Sequence, residues 1–244
     1  MITVTDIWRY PIKGIGRERI DATDVTPDNT LPQDRLWAVA HEAAQLEPGW
    51  NPCRNFARGA SAPLLQAITA RTEADDRIAL AHPDRPDITL SLPTDAADLL
   101  AWLAPLWPDT RPPLSSLHAA DTRAITDSPE PSISIMNQAS LRAFNQKSGF
   151  NIGPERFRGN IWIDGAAPWE EHDWIDRTIT IGTASLRVDH PINRCMATHA
   201  NTITGQRDAD VLGHLNKDWG HQFFGVNAVV ASTGRITTGD ELHP

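Results

Sequence analysis

The sequence has 244 residues, of which 40% are hydrophobic and 22% charged, with a formal net charge of −9. This composition is typical of a folded globular protein, and the acidic balance argues against a general nucleic-acid-binding protein, which needs a basic face. No stretch reaches the roughly 20 apolar residues that cross a membrane. The first residues carry charge and Pro where a signal peptide needs an apolar run. We therefore expect a cytoplasmic protein with neither nucleic acid nor membrane as a partner.

The first part of the chain is predicted to form β-strands, because short segments rich in Val, Ile, Thr and Trp alternate with Pro and Gly turns. These strands are Ile2–Arg9, Arg19–Thr26, Leu36–His41, Gln66–Thr72, Arg77–Ala81 and Ile88–Leu92. Residues 45–63 contain three Pro and two Gly, so they predict a loop. Thr94 is a candidate N-cap for a short amphipathic helix that Pro108 closes.

A Pro-rich stretch at Pro112 and Pro113 is the best candidate boundary, and it divides the chain into residues 1–115 and 116–244. In the second unit, the predicted strands are Ser132–Met136, Ile161–Asp164, Thr178–Ile181, Ser185–His190 and Gly225–Ser232. The predicted helices are Gln138–Lys147, capped by Asn137, and Asp208–Trp219. Many short strands with few helices predict a mostly β protein (α+β), with an antiparallel β-barrel and a β-rich N-terminal subdomain.

Cys195 is the sharpest candidate for chemistry, because it lies where a predicted strand gives way to a loop, next to Arg194. Positive potential favours the thiolate, which is the form that ligates metals. Three other interpretations stay open on these residues. Cys195 can be a small buried hydrophobic residue; it can join His190 and His199 in a zinc site, which lacks an evident fourth ligand; or it can form a nucleophilic pair with His199.

A second candidate cluster is the segment from Arg156 to Asn160. Two arginines two positions apart on an extended segment point the same way, and the guanidinium group suits phosphate. Alternatively, Arg156 and Arg158 are surface residues paired with Glu155 or Asp164.

Taken in chain order, several short motifs resemble the MOSC family. Tyr10-Pro-Ile-Lys-Gly14 and Asp34-Arg-Leu-Trp37 are similar to the N-terminal β-barrel region that precedes MOSC domains. Four later motifs resemble the MOSC domain itself: Arg156-Phe-Arg-Gly-Asn160, Arg194-Cys195, Phe224-Gly-Val-Asn227 and Gly234-Arg235-Ile236. The resemblance covers about residues 1–42 and 130–244, and the middle of the chain matches in layout alone.

The family includes the C-terminal domain of molybdenum cofactor sulfurase and the mitochondrial amidoxime-reducing component. The resemblance implies a molybdenum cofactor (molybdopterin carrying Mo), with Cys195 as the catalytic residue and the thiolate ligand of the metal, a soft ligand that suits this chemistry. It further implies that the pterin phosphate lies among Lys13, Arg35 and Arg158, and that the start of the helix after Asn137 faces the same anion. The complete set implied to bind the cofactor is Lys13, Gly14, Arg35, Asn137, Ser140, Arg158, Asn160, Asn193 and Arg194.

The sequence also departs from the family pattern. Gly14 and Asn193 stand where the reductases usually carry Ser, Ile192 stands where some relatives carry Cys, and Asn137-Gln138 replaces a common Ser-Glu pair. Cys195 and the basic residues do match the family pattern. The resemblance therefore predicts cofactor binding but does not specify the substrate.

The function that the resemblance implies is an oxidoreductase that reduces small N-hydroxylated compounds. Two cysteines cannot supply the usual four ligands of an iron–sulfur cluster, so electrons are expected from a separate ferredoxin- or cytochrome b5-type protein. The alternative is a molybdenum cofactor carrier or sulfur-handling protein without its own turnover; a third possibility is an interaction domain that has lost the cofactor. Cys53 lies outside every motif and is expected to have no catalytic role.

Overall fold

A computed structural model describes residues 1–73, 77–121 and 124–244. Within these residues the chain forms fifteen strands and three α-helices. The strands are β1 (Ile2–Arg9), β2 (Glu18–Ile20), β3 (Ala22–Val25), β4 (Trp37–His41), β5 (Thr69–Thr72), β6 (Arg77–His82), β7 (Arg85–Ser91), β8 (Leu114–Ala119), β9 (Ile133–Asn137), β10 (Ile161–Asp164), β11 (Thr178–Ile181), β12 (Ala184–Asn193), β13 (Phe223–Ser232), β14 (Gly234–Thr237) and β15 (Glu241–His243). The helices are α1 (Ala96–Leu103), α2 (Gln138–Ser148) and α3 (Val211–Trp219).

Seven strands close into a barrel in the order β10-β9-β13-β12-β11-β15-β1, and β1 pairs back onto β10. The pair β9 and β10 is parallel, and the other neighbours around the barrel are antiparallel. β2 adds to the outside of β1. The predicted fold class, a mostly β protein with a barrel and a few short helices, is confirmed.

The barrel interior is filled by aliphatic side chains, because successive residues of a strand point to opposite faces. Along β11, Ile179 and Ile181 are buried while the threonines between and before them are exposed. Val4 and Ile7 of β1 belong to the same core cluster as residues of β9 to β15. The first strand of the chain therefore packs with the strands of the second half.

A second core lies outside the barrel, between the antiparallel sheet β5-β6-β7, the pair β4–β8 and α1. Leu99, Trp102 and Leu103 form the buried face of α1. The indole Nε1 of Trp102 donates to the carbonyl of Pro86 at 2.7 Å, so the buried ring keeps its polar atom satisfied.

Both longer helices begin and end with the capping residues that helices favour. The Asn137 side chain accepts a hydrogen bond from the backbone of Ala139, and α2 ends at Gly149, whose φ of 78° is left-handed. Asp210 caps α3 in the same way through Gly213, so this helix starts later than the predicted Asp208.

The division predicted between residues 115 and 116 stays a prediction, but two features bear on it. This boundary falls inside β8. The sequence pattern did not predict this strand, because it directly follows the Pro-rich stretch. Moreover, β1 lies in the barrel and β3 pairs with β14, so the first residues belong structurally with the second half.

Candidate functional site

One cleft, of about 320 Å³, collects most of the predicted site residues. It lies where the turn after β1, the turn before β10 and the loop after β12 meet. The predicted residues that line it are Lys13, Gly14, Arg35, Arg158, Asn160, Asn193, Arg194 and Cys195. The expectation that Lys13 and Arg35 face Arg158 and Cys195 across a cleft is thus met by the geometry, whereas their binding roles stay predictions.

Cys195 is exposed to solvent and precedes a single 3-10 turn, Met196–His199. Its carbonyl accepts hydrogen bonds from the Thr198 backbone at 3.1 Å and from the Thr198 hydroxyl at 3.0 Å. The main chain at this position is therefore fixed while the thiol remains accessible. The interpretation of Cys195 as a small buried hydrophobic residue is wrong.

Surrounding protein raises the pKa of the Cys195 thiol, because desolvation in the cleft disfavours the thiolate. The negative charge of Asp127 acts in the same direction, while Arg194, Arg58 and a hydrogen bond from the Ala197 backbone lower the pKa. The lowering contributions do not outweigh the desolvation by the surrounding cleft. Arg194 favours the thiolate, as expected from the sequence, but it does not decide the net direction of the pKa shift of Cys195.

The Arg194 side chain is hydrogen-bonded within the fold, and its binding role stays a prediction. It donates to the Phe224 carbonyl at 2.8 Å through Nε and to the Phe157 carbonyl at 2.7 Å through Nη1. Burial lowers the pKa of Arg194 to about 10, so the group stays charged at neutral pH. These bonds tie the Cys195 loop to β13 and to the turn that carries Arg158.

Arg35 and Arg158 both stack on the ring of Tyr10, which is fully buried. Their guanidinium carbons lie 4.9 Å and 4.2 Å from the ring centroid, within the range of cation–π contacts. Both arginines have left-handed backbones, with φ of 53° and 50°, a conformation uncommon outside glycine and enriched at functional sites. The motif around Tyr10 thus positions two cations side by side.

Arg158 has an unsatisfied donor. Its Nη2 is buried and has no hydrogen-bond partner among residues 1–73, 77–121 and 124–244. Burial lowers the pKa of Arg158 to about 10, so the group is cationic at neutral pH. A buried cationic donor without a partner is costly unless an anion or water completes it.

Lys13 is almost completely buried, with 3% exposure, and is paired with Asp127. The next residue, Gly14, has a φ of 72°, and a Cβ there would approach the Ala57 carbonyl oxygen to 2.5 Å. Glycine is therefore required for the turn to pack against residues 57 and 58. This explains the departure from the family's usual Ser in terms of this chain's own packing.

Two predicted residues are not in the cleft. Asn137 and Ser140, at the start of α2, are fully buried and donate to the carboxylate of Glu171 at 2.8 Å and 2.9 Å. The predicted anion site at this helix start is corrected accordingly, because the Glu171 carboxyl group already accepts the hydrogen bonds of both side chains. Asn160 lines the cleft, but its side chain bridges Ser134 and the Trp8 carbonyl.

Among the lining residues that sequence reasoning missed are Cys53, Arg58 and Asp127. Arg58 donates through Nη1 to the sulfur of Cys53 at 3.0 Å. Cys53 thus lines the candidate site although it lies outside every motif, and its expected lack of a catalytic role stays a prediction. No local sequence signal identifies these residues, because they come from irregular segments that tertiary folding brings to the cleft.

Other open interpretations lose support. Among the described residues, no three or more His, Cys, Asp or Glu side chains are arranged to hold a metal ion, so the zinc site is not formed. His190 is bonded to Asp189 and Asn227. Arg156 pairs with Asp208 at 2.6 Å rather than with Glu155 or Asp164.

Within the described ranges, no helix combines the length and apolar character that crossing a bilayer requires.

The family model of the MOSC domain matches residues 122–243, and the model of the MOSC N-terminal beta barrel domain matches residues 1–108. The chain belongs to the MOSC family. Among curated proteins, it is 29% identical over 116 residues to molybdenum cofactor sulfurase of Anopheles gambiae, covering 43% of this chain and 15% of that protein. To the sulfurase of Drosophila grimshawi it is 35% identical over 78 residues, covering 32% and 10%.

The chain thus spans 10–15% of the length of these two relatives. Two solved structures are also similar. YuaD from Bacillus subtilis gives a TM-score of 0.47 at 13% identity, covering 99% of this chain and 94% of that one. YiiM from Geobacillus stearothermophilus gives 0.35 at 19% identity, covering 45% and 52%.

Proposed function

We propose that this cleft binds a molybdenum cofactor and that the protein is an oxidoreductase that reduces N-hydroxylated compounds. The observation that carries the proposal is the placement of an accessible thiol, Cys195, in the same cleft as the unsatisfied cationic donor of Arg158. A soft metal ligand and a phosphate-binding group are the two functions that a metal–pterin cofactor requires. The relatedness to molybdenum cofactor sulfurases supports the same cofactor.

The residues present fit this group. The cleft volume of about 320 Å³ lies within the range of small-molecule sites, roughly 300–1,000 Å³. Lys13, Arg35, Arg58 and Arg158 line it together, so a phosphate would meet several cations there. In the proposal, Cys195 ligates the metal and these four residues hold the phosphate end.

The chain's own contribution is to hold and orient. Tyr10 fixes Arg35 and Arg158 by stacking, and Arg194 fixes the Cys195 loop by its carbonyl contacts. Rigid support of this kind keeps the groups at the site in place. The bound cofactor would supply the two-electron chemistry.

The substrate class in this proposal is a small molecule with an N–OH group. Its reduction to the parent amine or amidine breaks the N–O bond, consumes two electrons and two protons, and releases water. The electrons would come from a separate ferredoxin- or cytochrome b5-type protein, because two cysteines cannot ligate a conventional iron–sulfur cluster.

The test uses the full chain, purified from a host that makes the molybdenum cofactor. We expect molybdenum and pterin in near-equal amounts, and reduction of a simple amidoxime when the protein is supplied with a chemical reductant. Absence of molybdenum would contradict the cofactor assignment. Molybdenum without amidoxime reduction would contradict the reductase assignment and leave cofactor binding intact.

A second candidate function is a carrier or sulfur-handling protein for the same cofactor. The observation that favours it is the second thiol, Cys53, in the cleft next to Arg58. A carrier should pass its cofactor to a cofactor-free molybdenum enzyme and show no turnover with chemical reductant. A reductase should retain the cofactor through many turnovers, so the two assays distinguish the functions.

A further inference from the structure

The ammonium group of Lys13 already has an anionic partner. Its Nζ donates to the Ile125 carbonyl at 3.0 Å and to the carboxylate of Asp127 at 2.5 Å. The Lys13 side chain is 4% exposed, whereas that of Asp127 is 76% exposed. The carboxylate therefore lies on the solvent side of the ion pair, between the buried cation and any molecule that enters the cleft.

Asp127 lies close to cations from three distant segments. Desolvation raises its pKa, but Lys13, Arg35 and Arg58 together lower the pKa below the ordinary value, so the carboxylate is ionised at neutral pH. Among the described residues that line the cleft, it is the one carboxylate. A negative charge is thus held where the positive charges converge.

We propose that Asp127 is an internal counter-anion that occupies the phosphate position at Lys13, so that a phosphate binds Lys13 by displacing the Asp127 carboxylate. This rests on the proposed function only in taking the phosphate to be that of the cofactor. The physical reason is that two like charges at one ammonium repel each other, while the ammonium is too buried to serve both.

The fold leaves room for this exchange. Ile125 is anchored through its backbone to the Arg35 carbonyl at 2.8 Å, but Asp127 itself is largely exposed and can rotate into solvent. A second cavity of about 300 Å³ lies behind the same segment, lined by Thr126 and Ser128, which also line the cleft. Displacement of one side chain therefore needs no opening of the barrel.

Asp127 thereby sets how tightly a phosphate-bearing ligand is held. With the carboxylate present, binding must break an existing ion pair, so affinity is lower and exchange is easier. Without it, Lys13 is left as a buried cation that lacks an anionic partner, which favours any phosphate that enters.

The test is calorimetric titration of the metal-free full chain with inorganic phosphate. Asp127→Asn should bind phosphate at least about fivefold more tightly than the wild type, since it removes a competing charge. Glu130→Gln is the matched control: it makes the same charge change three residues away at an exposed site and should leave the affinity unchanged. Equal or weaker binding by a folded Asp127→Asn protein overturns the proposal.

A second measurement does not depend on a variant folding. In a crystal of the wild-type chain soaked with phosphate, Lys13 should contact a phosphate oxygen and Asp127 should have left Lys13; phosphate bound beside an intact ion pair overturns the proposal. These outcomes are separate from the cofactor assignment. Protein that lacks molybdenum but shows tighter phosphate binding in Asp127→Asn would contradict the proposed function and support the counter-anion.

Discussion

The cleft and the start of α2 were both expected to face the same phosphate, but they differ in what their polar atoms already bind. At the start of α2, Asn137 and Ser140 are fully bonded, and the carboxyl group of Glu171, at 0% exposure, accepts hydrogen bonds from both. In the cleft, Nη2 of Arg158 has no hydrogen-bond partner among the described residues. The anion there is the carboxylate of Asp127, whose side chain is 76% exposed.

This difference shows that positive potential alone does not define an anion site. A helix N-terminus attracts negative charge wherever it occurs, and a buried glutamate can meet that need within the fold. A ligand site also requires donors that the fold leaves open, or an internal anion that can leave. The cleft meets both conditions, and the start of α2 meets neither.

The largest effect is expected for Cys195→Ser, which tests whether the cleft holds a metal. Serine is a harder ligand than a thiolate, so reductase activity should fall by about 100-fold or more, or about 2.7 kcal/mol in barrier height, with little change in the melting temperature. Activity, molybdenum content and thermal melting are measured together. The Cys53→Ser variant should keep its molybdenum. Full activity in a destabilised Cys195→Ser protein would defeat the ligand assignment.

The next largest effect is expected at Arg158, whose Nη2 is the unsatisfied hydrogen-bond donor in the cleft. Arg158→Ala should weaken retention of the pterin by about 10- to 150-fold, since a charge-assisted hydrogen bond contributes roughly 1.5–3 kcal/mol. Pterin is quantified after extended dialysis. Arg142→Ala is the control, because Arg142 is 61% exposed and pairs with Asp164, and neither residue lines the cleft. Equal pterin content in the two variants would remove Arg158 from the site.

The start of α2 should respond in stability rather than in binding. Glu171→Ala leaves the buried side chains of Asn137 and Ser140 without their acceptor, so unfolding should become easier by about 1–3 kcal/mol. Urea denaturation measures this change. The folded variant should keep its molybdenum and pterin. Selective loss of cofactor from a stable variant would return the start of α2 to the binding site.

The smallest effect is a pH dependence. Burial raises the pKa of Glu171 above its ordinary value of 4.5, against the hydrogen bonds from Asn137 and Ser140 that lower it. A carboxyl group with a raised pKa in the folded state stabilises the fold below the ordinary pKa and loses that contribution as pH rises. The stability of the wild type relative to Glu171→Gln should therefore fall as the pH rises from about 4.5 through the raised pKa of Glu171. Urea denaturation across this range checks the sign, and a rising difference would contradict it.

The sequence predicted those site residues that lie next to each other in one motif. The pairs Arg194-Cys195 and Lys13-Gly14 each lie in one short motif, and the structure places both at the cleft. The exact bounds of β10 and β11 also followed from the sequence, since these short segments of apolar or alternating residues lie between turns.

Long-range partners were not predictable. The carboxylate that occupies the start of α2 comes from residue 171, and the one at Lys13 comes from residue 127. In both cases the sequence showed the cation or the helix N-terminus but not the anion that folding brings to it. Whether a donor is open is a property of tertiary packing, which periodicity and local motifs do not report.

The closure of the barrel has a consequence for the order of events during synthesis. β1 precedes every other strand in the sequence, yet Ile2 pairs with Leu242 and Ile7 pairs with Ile161. Such pairings between distant positions form slowly, because a long loop must close before they stabilise anything. The barrel seam cannot form until β15 has left the ribosome. Loading of the cleft is therefore expected only after β1 has paired with the late strands of the barrel.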